Sequence, residues 1–123
     1  MKINIENVKN CLIKCWSIKT SSKWTVKNPS RGQCGVTALL INDIFGGEIL
    51  KTKIDNQWHY YNRIDGKEYD FTSDQFTSKP VYQNLLSNRD EAYSDTNEYQ
   101  YTQLKGLMEK ELFGIVGTGT GIK

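Results

Sequence analysis

Apolar residues recur at helical spacing in three stretches of the chain, and each stretch predicts a helix. The first covers residues 5–16, the second covers 33–45 and the third covers 101–112. Thr96 and Asn97 are the candidate N-caps of the third helix. The second stretch is apolar on nearly all sides, which indicates a helix that is largely buried.

The central part of the chain shows the alternation that is typical of strands. Residues 48–54 alternate loosely, and residues 57–64 and 67–72 flank Asp65-Gly66, a dipeptide that favours a two-residue hairpin turn. A short helix is predicted around 81–86. Together these elements predict an α+β fold, in which the second helix packs on an antiparallel sheet containing the hairpin.

The hairpin turn fixes a register that can be written down from the sequence. With Asp65 and Gly66 as the turn residues, His59 faces Thr72 and Asp70 becomes the diagonal neighbour of His59. Residues on one face of the hairpin repeat at every second position. One face is then expected to carry His59, Tyr61, Arg63, Glu68, Asp70 and Thr72, and the other, core-facing side Trp58, Tyr60, Ile64, Tyr69 and Phe71.

The length of 123 residues is typical of a single domain. We assign residues 1–113 to this domain. Residues 114–123 are rich in glycine and are predicted to form a flexible tail. A phosphate-binding loop would need a preceding strand and a following helix, and this stretch offers neither.

Composition and charge change the picture mainly by exclusion. A net charge of +2 from 16 basic and 14 acidic residues is too balanced to favour nucleic acid or an anionic membrane as the partner. No apolar run approaches the roughly 20 residues of a membrane span, and the N-terminus has no signal-like apolar core. The odd number of cysteines is typical of a reduced protein, so we expect a cytoplasmic location.

Three cysteines and one histidine are the scarce reactive residues of the chain. Cys11, Cys15, Cys34 and His59 would suffice for a zinc site, but the spacing lacks the Cys-x-x-Cys pattern of common zinc motifs. Cys11 and Cys15 lie four apart on the first helix and are therefore expected to be buried thiols. We predict neither a metal nor a cofactor.

Cys34 and His59 are the residues whose positions suggest chemistry. Cys34 opens the second predicted helix, and a helix N-terminus lowers the pKa of a cysteine. His59 is the only candidate base for such a nucleophile. The alternative is structural, with Cys34 a buried core thiol and His59 a strand residue that exchanges no protons.

Two residues compete to orient the imidazole of His59. Asp70 shares a face with His59 in the predicted register, about 7–8 Å away between backbones. Asn62 lies three positions from His59 on the same strand, so on a regular strand it points to the other face. Geometry therefore favours Asp70, unless a bulge exchanges the two faces.

The motifs Gly32-Gln33-Cys34, His59-Tyr60-Tyr61-Asn62 and Asp65 to Thr72 resemble the papain/transglutaminase-like superfamily. Residues 15–76 resemble the bacterial YunG-like family more closely, through Trp16-Ser17, Thr20-Ser21, Trp24 and Asn28-Pro29 followed by the stretch from Gly32 to Asp70. The resemblance implies a small papain-like core with Cys34 as nucleophile, His59 as general base and acid, and Asp70 as orienting carboxylate. The chain departs from the superfamily in its short length and in lacking a glutamine well upstream of the cysteine.

An oxyanion hole has several candidate donors in the sequence. The N–H of Cys34 at the helix start is the first, and the side chains of Gln33, Trp16 and Trp24 are candidates for the second. Gln33 matches the transglutaminase pattern by its position next to the cysteine. Burial is the alternative role of both tryptophans.

Two classes of function follow. In the first, the protein is a cysteine-dependent hydrolase or acyl transferase that acts on a peptide or protein amide through a thioester. In the second, it is a binding or interaction module that keeps the scaffold without turnover. The sequence does not separate hydrolysis, deamidation and transamidation, because they share the thioester.

Overall fold

The structure, a computed structural model, describes residues 4–113. The predicted flexible tail at 114–123 lies outside the described residues. The elements, in chain order, are α1 (Ile5–Cys15), α2 (Cys34–Phe45), β1 (Glu48–Ile54), β2 (Gln57–Ile64), β3 (Lys67–Tyr69), a 3-10 turn (Ser73–Gln75), β4 (Leu85–Leu86), α3 (Arg89–Tyr93) and α4 (Glu98–Phe113). The fold is therefore α+β, as the sequence predicted.

The four strands form one antiparallel sheet in the order β3-β2-β1-β4. In the β2–β3 hairpin Arg63 pairs with Glu68 and Ile64 with Lys67, so the predicted register is confirmed. Asp65 and Gly66 have φ values of 51° and 80°. Positive φ at both central residues is the requirement of a type I′ turn, which explains why Asp-Gly marked the hairpin so clearly.

The predicted strand at 67–72 is too long, because β3 ends at Tyr69. The carboxylate of Asp70 accepts hydrogen bonds from the N–H of Thr72 at 3.2 Å and from its hydroxyl at 3.3 Å. This local Asx-type bonding replaces the strand ladder and turns the chain out of the sheet.

The prediction of a short helix around 81–86 is wrong. Leu85 and Leu86 form the two-residue strand β4, in which Leu86 pairs with Leu50 and Leu85 with Lys51. So short a strand carries no periodicity of its own, and its conformation is set by the neighbouring strand. The five-residue helix α3, capped by Asn88, was not predicted.

Helix α2 lies between the sheet and a layer formed by α1 and α4. Val36, Leu40 and Ile41 pack toward α1 and α4, whereas Ala38 and Leu39 pack toward Tyr60 of the sheet. Because α2 is covered on both sides, its buried, apolar character in the sequence is accounted for. Its first residue, Cys34, is consequently held between layers rather than displayed on a free helix end.

Helix α4 starts where one of its two predicted N-caps places it. It begins at Glu98, and the side chain of Asn97 accepts a hydrogen bond from the N–H of Gln100 at 2.8 Å, so Asn97 is the residue that caps it. Leu104, Met108 and Leu112 are buried on one face of this helix, at the spacing from which it was predicted.

Both faces of β2 are covered, which corrects the division into a core face and an open face. His59 and Tyr61 are only 3% and 2% exposed, because the segment after β3 folds back over them. In contrast Trp58, which was predicted to lie in the core, is 37% exposed. The ammonium groups of Lys51 and Lys53 each lie 4.5 Å from a Trp58 ring centroid. In residues 4–113 no helix has the length and apolarity that crossing a membrane requires.

Candidate functional site

A cavity of about 280 Å³ opens where the start of α2 meets β2. Cys34 and His59 both line it. The remaining lining comes from the loop before α2, from the segment after β3, from the turn that follows α3 and from β1 and β2: Lys23, Arg31, Gly32, Gln75, Phe76 and Asp95, together with Ile54, Gln57 and Trp58. The structure thus brings the candidate nucleophile and the candidate base to one small opening.

Asp70 holds the imidazole of His59. Its Oδ2 lies 2.7 Å from Nε2 of His59, and the two side chains are 7% and 3% exposed, respectively. A second donor, the hydroxyl of Tyr82, also reaches Oδ2, at 2.7 Å. With Thr72 donating to Oδ1, the buried carboxylate has hydrogen bonds on both oxygens, as a buried charge requires.

This hydrogen bond fixes which nitrogen of His59 can act as a base. A carboxylate can only accept a hydrogen bond, so Nε2 of His59 carries the hydrogen that is directed at Asp70. In the neutral ring Nδ1 is then the nitrogen with a free lone pair. Phe76 packs edge-on against the ring with centroids 4.9 Å apart, and Tyr61 stacks on it at 6.0 Å. The ring is therefore held in orientation by a carboxylate and by two aromatic neighbours.

Tyr82 is a site residue that sequence reasoning missed. Burial and, next, its hydrogen bond to Asp70 raise the pKa of the Tyr82 phenol above its ordinary value, so it remains a protonated donor. It lies in the polar stretch between β3 and β4, where no periodic pattern marks it. Its contact with Asp70 depends on the chain folding back over β2.

Asn62, the competing candidate for orienting His59, serves another purpose. Its Nδ2 donates to the carbonyl oxygen of Ala38 at 3.0 Å, and the residue is 1% exposed. It points to the α2 side of the sheet, as the odd spacing from His59 indicates. Asn62 therefore joins α2 to β2, and Asp70 is the residue that contacts the imidazole.

Cys34 reaches the edge of β2 because β3 stops early. In a two-residue hairpin Ile64 and Lys67 exchange hydrogen bonds, and every second residue of β2 then directs its N–H to the β3 side. At Tyr60 the partner strand has already ended, and the backbone N–H of Tyr60 lies near enough to the sulfur of Cys34 to oppose part of the rise in the pKa of this thiol. The end of β3 at Tyr69 thus creates the space that the thiol occupies.

Asp95 is the second residue that the sequence did not reveal. The thiol of Cys34 donates to its Oδ2 at 3.3 Å, and the N–H of Gly35 donates to the same oxygen at 3.0 Å. Asp95 is exposed on its outer side while this oxygen is turned toward the cavity. Within residues 4–113 the side chain of Cys34 is hydrogen bonded to Asp95 and not to His59.

The expectation that the helix start lowers the pKa of Cys34 is wrong. Burial, and next the charge of Asp95, raise the pKa of this thiol well above its ordinary value. The partial positive charge of a helix N-terminus is worth only about 0.3–1 kcal/mol at exposed sites, so removal of the thiol from water outweighs it. The resting sulfur is consequently a neutral thiol and not a thiolate.

Gly35 explains how Asp95 comes so close to the helix. A Cβ at this position would lie 2.6 Å from the carbonyl oxygen of Ala92 and 2.6 Å from the Cβ of Asp95. Gly32, on the other side of Gln33-Cys34, has a φ of +73°, and a Cβ there would lie 2.4 Å from Oγ of Ser21. The two glycines therefore allow the loop and α3 to approach the start of α2 from both sides.

Gln33 is placed away from the cavity lining. It is fully buried, its Oε1 lies 2.8 Å from Oγ1 of Thr20, and its Nε2 has no hydrogen-bond partner within the described residues. Trp16 donates its indole N–H to Thr37 at 3.0 Å and is thereby committed to the core. The indole N–H of Trp24 is buried and, in the described part of the chain, lacks a partner. The N–H of Cys34, the remaining candidate donor, belongs to the first turn of α2, where N–H groups have no partner within the helix.

The remaining two cysteines belong to the core between α1 and α4. Cys11 and Cys15 are 5% and 3% exposed, and burial raises the pKa of Cys15 to about 12. All three thiols are free. In the part of the chain that the structure describes, no group of three or more His, Cys, Asp or Glu side chains is placed to hold a metal ion.

Comparison with known proteins places the chain among sequences of one family. The model of the family described as "YunG protein" matches residues 4–113. A relative from Bacillus subtilis (strain 168), which carries the name "Uncharacterized protein YunG", is 51% identical over 111 residues, and these cover 90% of this chain and 96% of the relative. No solved structure matches the chain.

Proposed function

The chain belongs to the YunG family, and we propose that it is a cysteine-dependent hydrolase or acyl transferase acting on an amide of a peptide or protein. Cys34 is the proposed nucleophile, His59 the general base and acid, and Asp70 the carboxylate that orients the imidazole. The single observation that carries the proposal is the buried His59–Asp70 hydrogen bond of 2.7 Å beside the cavity that Cys34 also lines. A buried ring held in this way has one nitrogen left for proton transfer.

The first half of the proposed reaction forms a thioester. Nδ1 of His59 takes the thiol proton of Cys34 while the sulfur attacks the amide carbon, giving a tetrahedral intermediate whose oxyanion faces the N–H of Cys34. The imidazolium then returns this proton to the leaving nitrogen. The C–N bond breaks, and the amine or ammonia departs.

The second half releases the acyl group. His59 takes a proton from water or from an amine, which attacks the thioester carbon, and the C–S bond breaks as the sulfur regains a proton. With water the outcome is hydrolysis or deamidation, and with an amine it is transamidation. Because the resting sulfur is a neutral thiol, the proposal requires His59 to act as a base during attack and does not invoke a preformed ion pair.

We also propose that the core is papain-like and that the protein works in the cytoplasm. A cysteine that opens a buried helix, a histidine on an antiparallel strand and an aspartate after the next strand support the first point. The free, buried thiols Cys11 and Cys15 support the second, since a reducing compartment keeps cysteines unpaired.

The alternative function is a binding module without turnover, and one observation favours it. The thiol of Cys34 is hydrogen bonded to Asp95, a partner that opposes ionisation. In a module without turnover, this contact would tie the turn after α3 to the start of α2. The two functions therefore differ in whether His59 controls the reactivity of Cys34.

The deciding experiment measures the alkylation of Cys34 by iodoacetamide across pH. Cleavage after lysine and arginine separates the three cysteines into the peptides 10–14, 15–19 and 32–51, so mass spectrometry reports each thiol by itself. We expect Cys34 to react faster than Cys11 and Cys15, and His59→Ala to slow Cys34 about tenfold or more while the other two rates stay unchanged.

The control variant is Arg63→Gln, which alters a half-exposed residue farther along the same strand. It should leave the rate of Cys34 as in the wild type, and circular dichroism should show both variants to be folded. If Cys34 reacts no faster than the two core thiols, or if His59→Ala makes no difference, the enzyme proposal is wrong and the binding module is favoured.

A further inference from the structure

Two cations line one wall of the cavity without an ion-pair partner. Lys23 and Arg31 both belong to the loop before α2 and both line the opening above Cys34. None of the ion pairs between described residues includes either of them. The two positive charges are therefore available to a ligand.

Ser21 connects the two parts of the loop that carry these cations. Oγ of Ser21 donates to the carbonyl oxygen of Arg31 at 3.0 Å and accepts from the N–H of Lys23 at 3.1 Å. Gly32 then packs against Ser21 and Lys23, which brings the loop to the cavity. The backbones of Lys23 and Arg31 are thus fixed close to one another, which reduces the entropy cost of using both cations on one ligand.

The negatively charged side chain that lines the cavity is already hydrogen bonded within the protein. Asp95 is the carboxylate of the lining, and its inner oxygen accepts from Cys34 and from the N–H of Gly35. Burial raises the pKa of the Asp95 carboxyl, and the charge of Lys23 is one of the smaller influences that oppose this rise, so Lys23 already interacts with Asp95. With Lys23 and Arg31 against the single carboxylate of Asp95, the cations outnumber the anion among the charged side chains that line the opening.

From this arrangement we infer that the acyl substrate carries an anionic group, a carboxylate, close to the amide that Cys34 attacks. The inference rests on the proposed function and adds a substrate class to it. A volume of about 280 Å³ is at the lower end of ligand pockets, so the cavity suits a small acyl group such as a side chain or a chain terminus. The guanidinium of Arg31 offers the paired donors that a carboxylate accepts.

Two alkylating reagents of nearly equal size test the inference. Iodoacetate carries a carboxylate and iodoacetamide does not, and with both the sulfur attacks the methylene carbon as iodide leaves. The ratio of their rates at Cys34 cancels the amount of thiolate, because both reagents use the same sulfur. The same ratio, measured on the Cys34 peptide of the chain unfolded in urea, supplies the reference without a cavity.

In the folded wild type we expect the iodoacetate to iodoacetamide ratio to exceed the unfolded reference. Lys23→Gln and Arg31→Gln should each lower it by about two- to fivefold, the range for partly exposed charge pairs. Lys27→Gln, an exposed lysine of the same loop that does not line the cavity, is the matched control and should leave the ratio unchanged. Added salt should bring the wild type toward the reference.

The outcomes separate this inference from the proposed function. A ratio equal to the unfolded reference, or one insensitive to both Lys23→Gln and Arg31→Gln, overturns the carboxylate inference even if His59 controls the rate. A ratio that responds to the cations while His59→Ala has no effect supports an anion site and overturns the enzyme. If the folded chain shields Cys34 from both reagents, the cavity admits no ligand to the sulfur and the inference is wrong.

Discussion

The thiol of Cys34 donates to Oδ2 of Asp95 at 3.3 Å, although Cys34 and His59 line the same cavity. A thiol that donates to a carboxylate is stabilised in its protonated form. Asp95 therefore favours the protonated form of the sulfur, and in the proposed reaction His59 would have to take the proton that Asp95 now accepts as a hydrogen bond. The proposed reaction begins when the thiol proton leaves its hydrogen bond with Asp95 and passes to the imidazole of His59.

Replacing Asp95 by asparagine should make Cys34 easier to ionise. The amide of Asp95→Asn can still accept from Gly35 N–H but carries no charge, so one cause of the raised pKa of Cys34 disappears. We expect the pH profile of Cys34 alkylation to move to lower pH and the rate near neutral pH to rise by about three- to tenfold. Peptide-resolved alkylation rates between about pH 6 and 10 check this.

The matched control is Asp90→Asn, an exposed carboxylate in α3 that does not line the cavity. It should leave the profile of Cys34 in place. An Asp95→Asn profile that coincides with that of the wild type would contradict the assigned role of Asp95.

Loss of the Tyr82 hydroxyl should weaken the support of the imidazole. Tyr82→Phe removes one of the donors to Oδ2 of Asp70, and a hydrogen bond to a charged group contributes about 1.5–3 kcal/mol. We expect slower alkylation of Cys34, by about three- to tenfold, with little change in fold. Tyr99→Phe, an exposed phenol on α4, serves as control. Equal rates in Tyr82→Phe and the wild type would remove Tyr82 from the site.

Substitution of Asp70 should change the reactivity of Cys34, whereas substitution of Asn62 should change the stability of the fold. Asp70→Asn keeps the shape of the side chain but removes the charge that holds the Nε2–H tautomer, so the rate at Cys34 should fall about tenfold or more. Asn62→Ala leaves the carbonyl of Ala38 without its donor and should lower the free energy of unfolding by about 1–3 kcal/mol.

The two measurements are the alkylation rate of Cys34 and urea unfolding, made on both variants. The expected pattern is a rate effect for Asp70→Asn and a stability effect for Asn62→Ala, with the pH profile of the latter unchanged. The reverse pattern would show that Asn62 is the orienting residue.

Two glycines in helices should respond oppositely to alanine. Gly35→Ala puts a methyl group within 2.6 Å of the Ala92 carbonyl, so we expect a loss of about 1–3 kcal/mol in the free energy of unfolding and a displaced Asp95. At Gly106 in α4 a methyl group meets nothing within 4 Å, and the substitution should stabilise the protein by about 0.5–1 kcal/mol. Urea unfolding of both variants checks the pair, and equal effects would contradict the packing at Gly35.

Alkaline pH should destabilise the fold through its buried thiols. The pKa of Cys15 is raised from 9.0 to about 12, so the unfolded chain loses this proton first and stability falls as pH rises from 9 toward 12. The slope is at most about 1.4 kcal/mol per pH unit for each thiol. Urea midpoints between about pH 8 and 10.5 should fall, and Cys15→Ala should flatten this dependence. An unchanged slope in Cys15→Ala would show that other groups cause the loss.

Local sequence patterns were sufficient to predict the contacts between elements that lie close together in the chain. Asp65 and Gly66 set the register of β2 with β3, and this register brought Asp70 to His59, only 11 positions away. The boundaries of β1 and β2 followed from the same alternation. Such contacts depend on turn chemistry and on the two-residue repeat of a strand, both of which can be read from a short segment.

The parts that were missed depend on distant contacts. Asp95 meets Cys34 across 61 positions, and neither residue carries a signal for the other. The pKa of Cys34 is raised because the thiol is buried between layers. The position of a residue at a helix start does not reveal how deeply its side chain is buried. Trp58 was assigned to the core by alternation alone, whereas the segment folding back over β2 covered the opposite face instead.

The short β3 also has a consequence for the order in which the site is assembled. His59 and Asp70 are brought together by one hairpin, and hairpins form within about 1–10 μs. Contacts between segments that are distant in the chain form more slowly. The contact of Cys34 with Asp95 and its place beside His59 require α2 and the turn after α3 to dock on that hairpin. A newly made chain should therefore hold its imidazole–carboxylate pair before the sulfur arrives, and its thiol should meet a base only once the protein has folded.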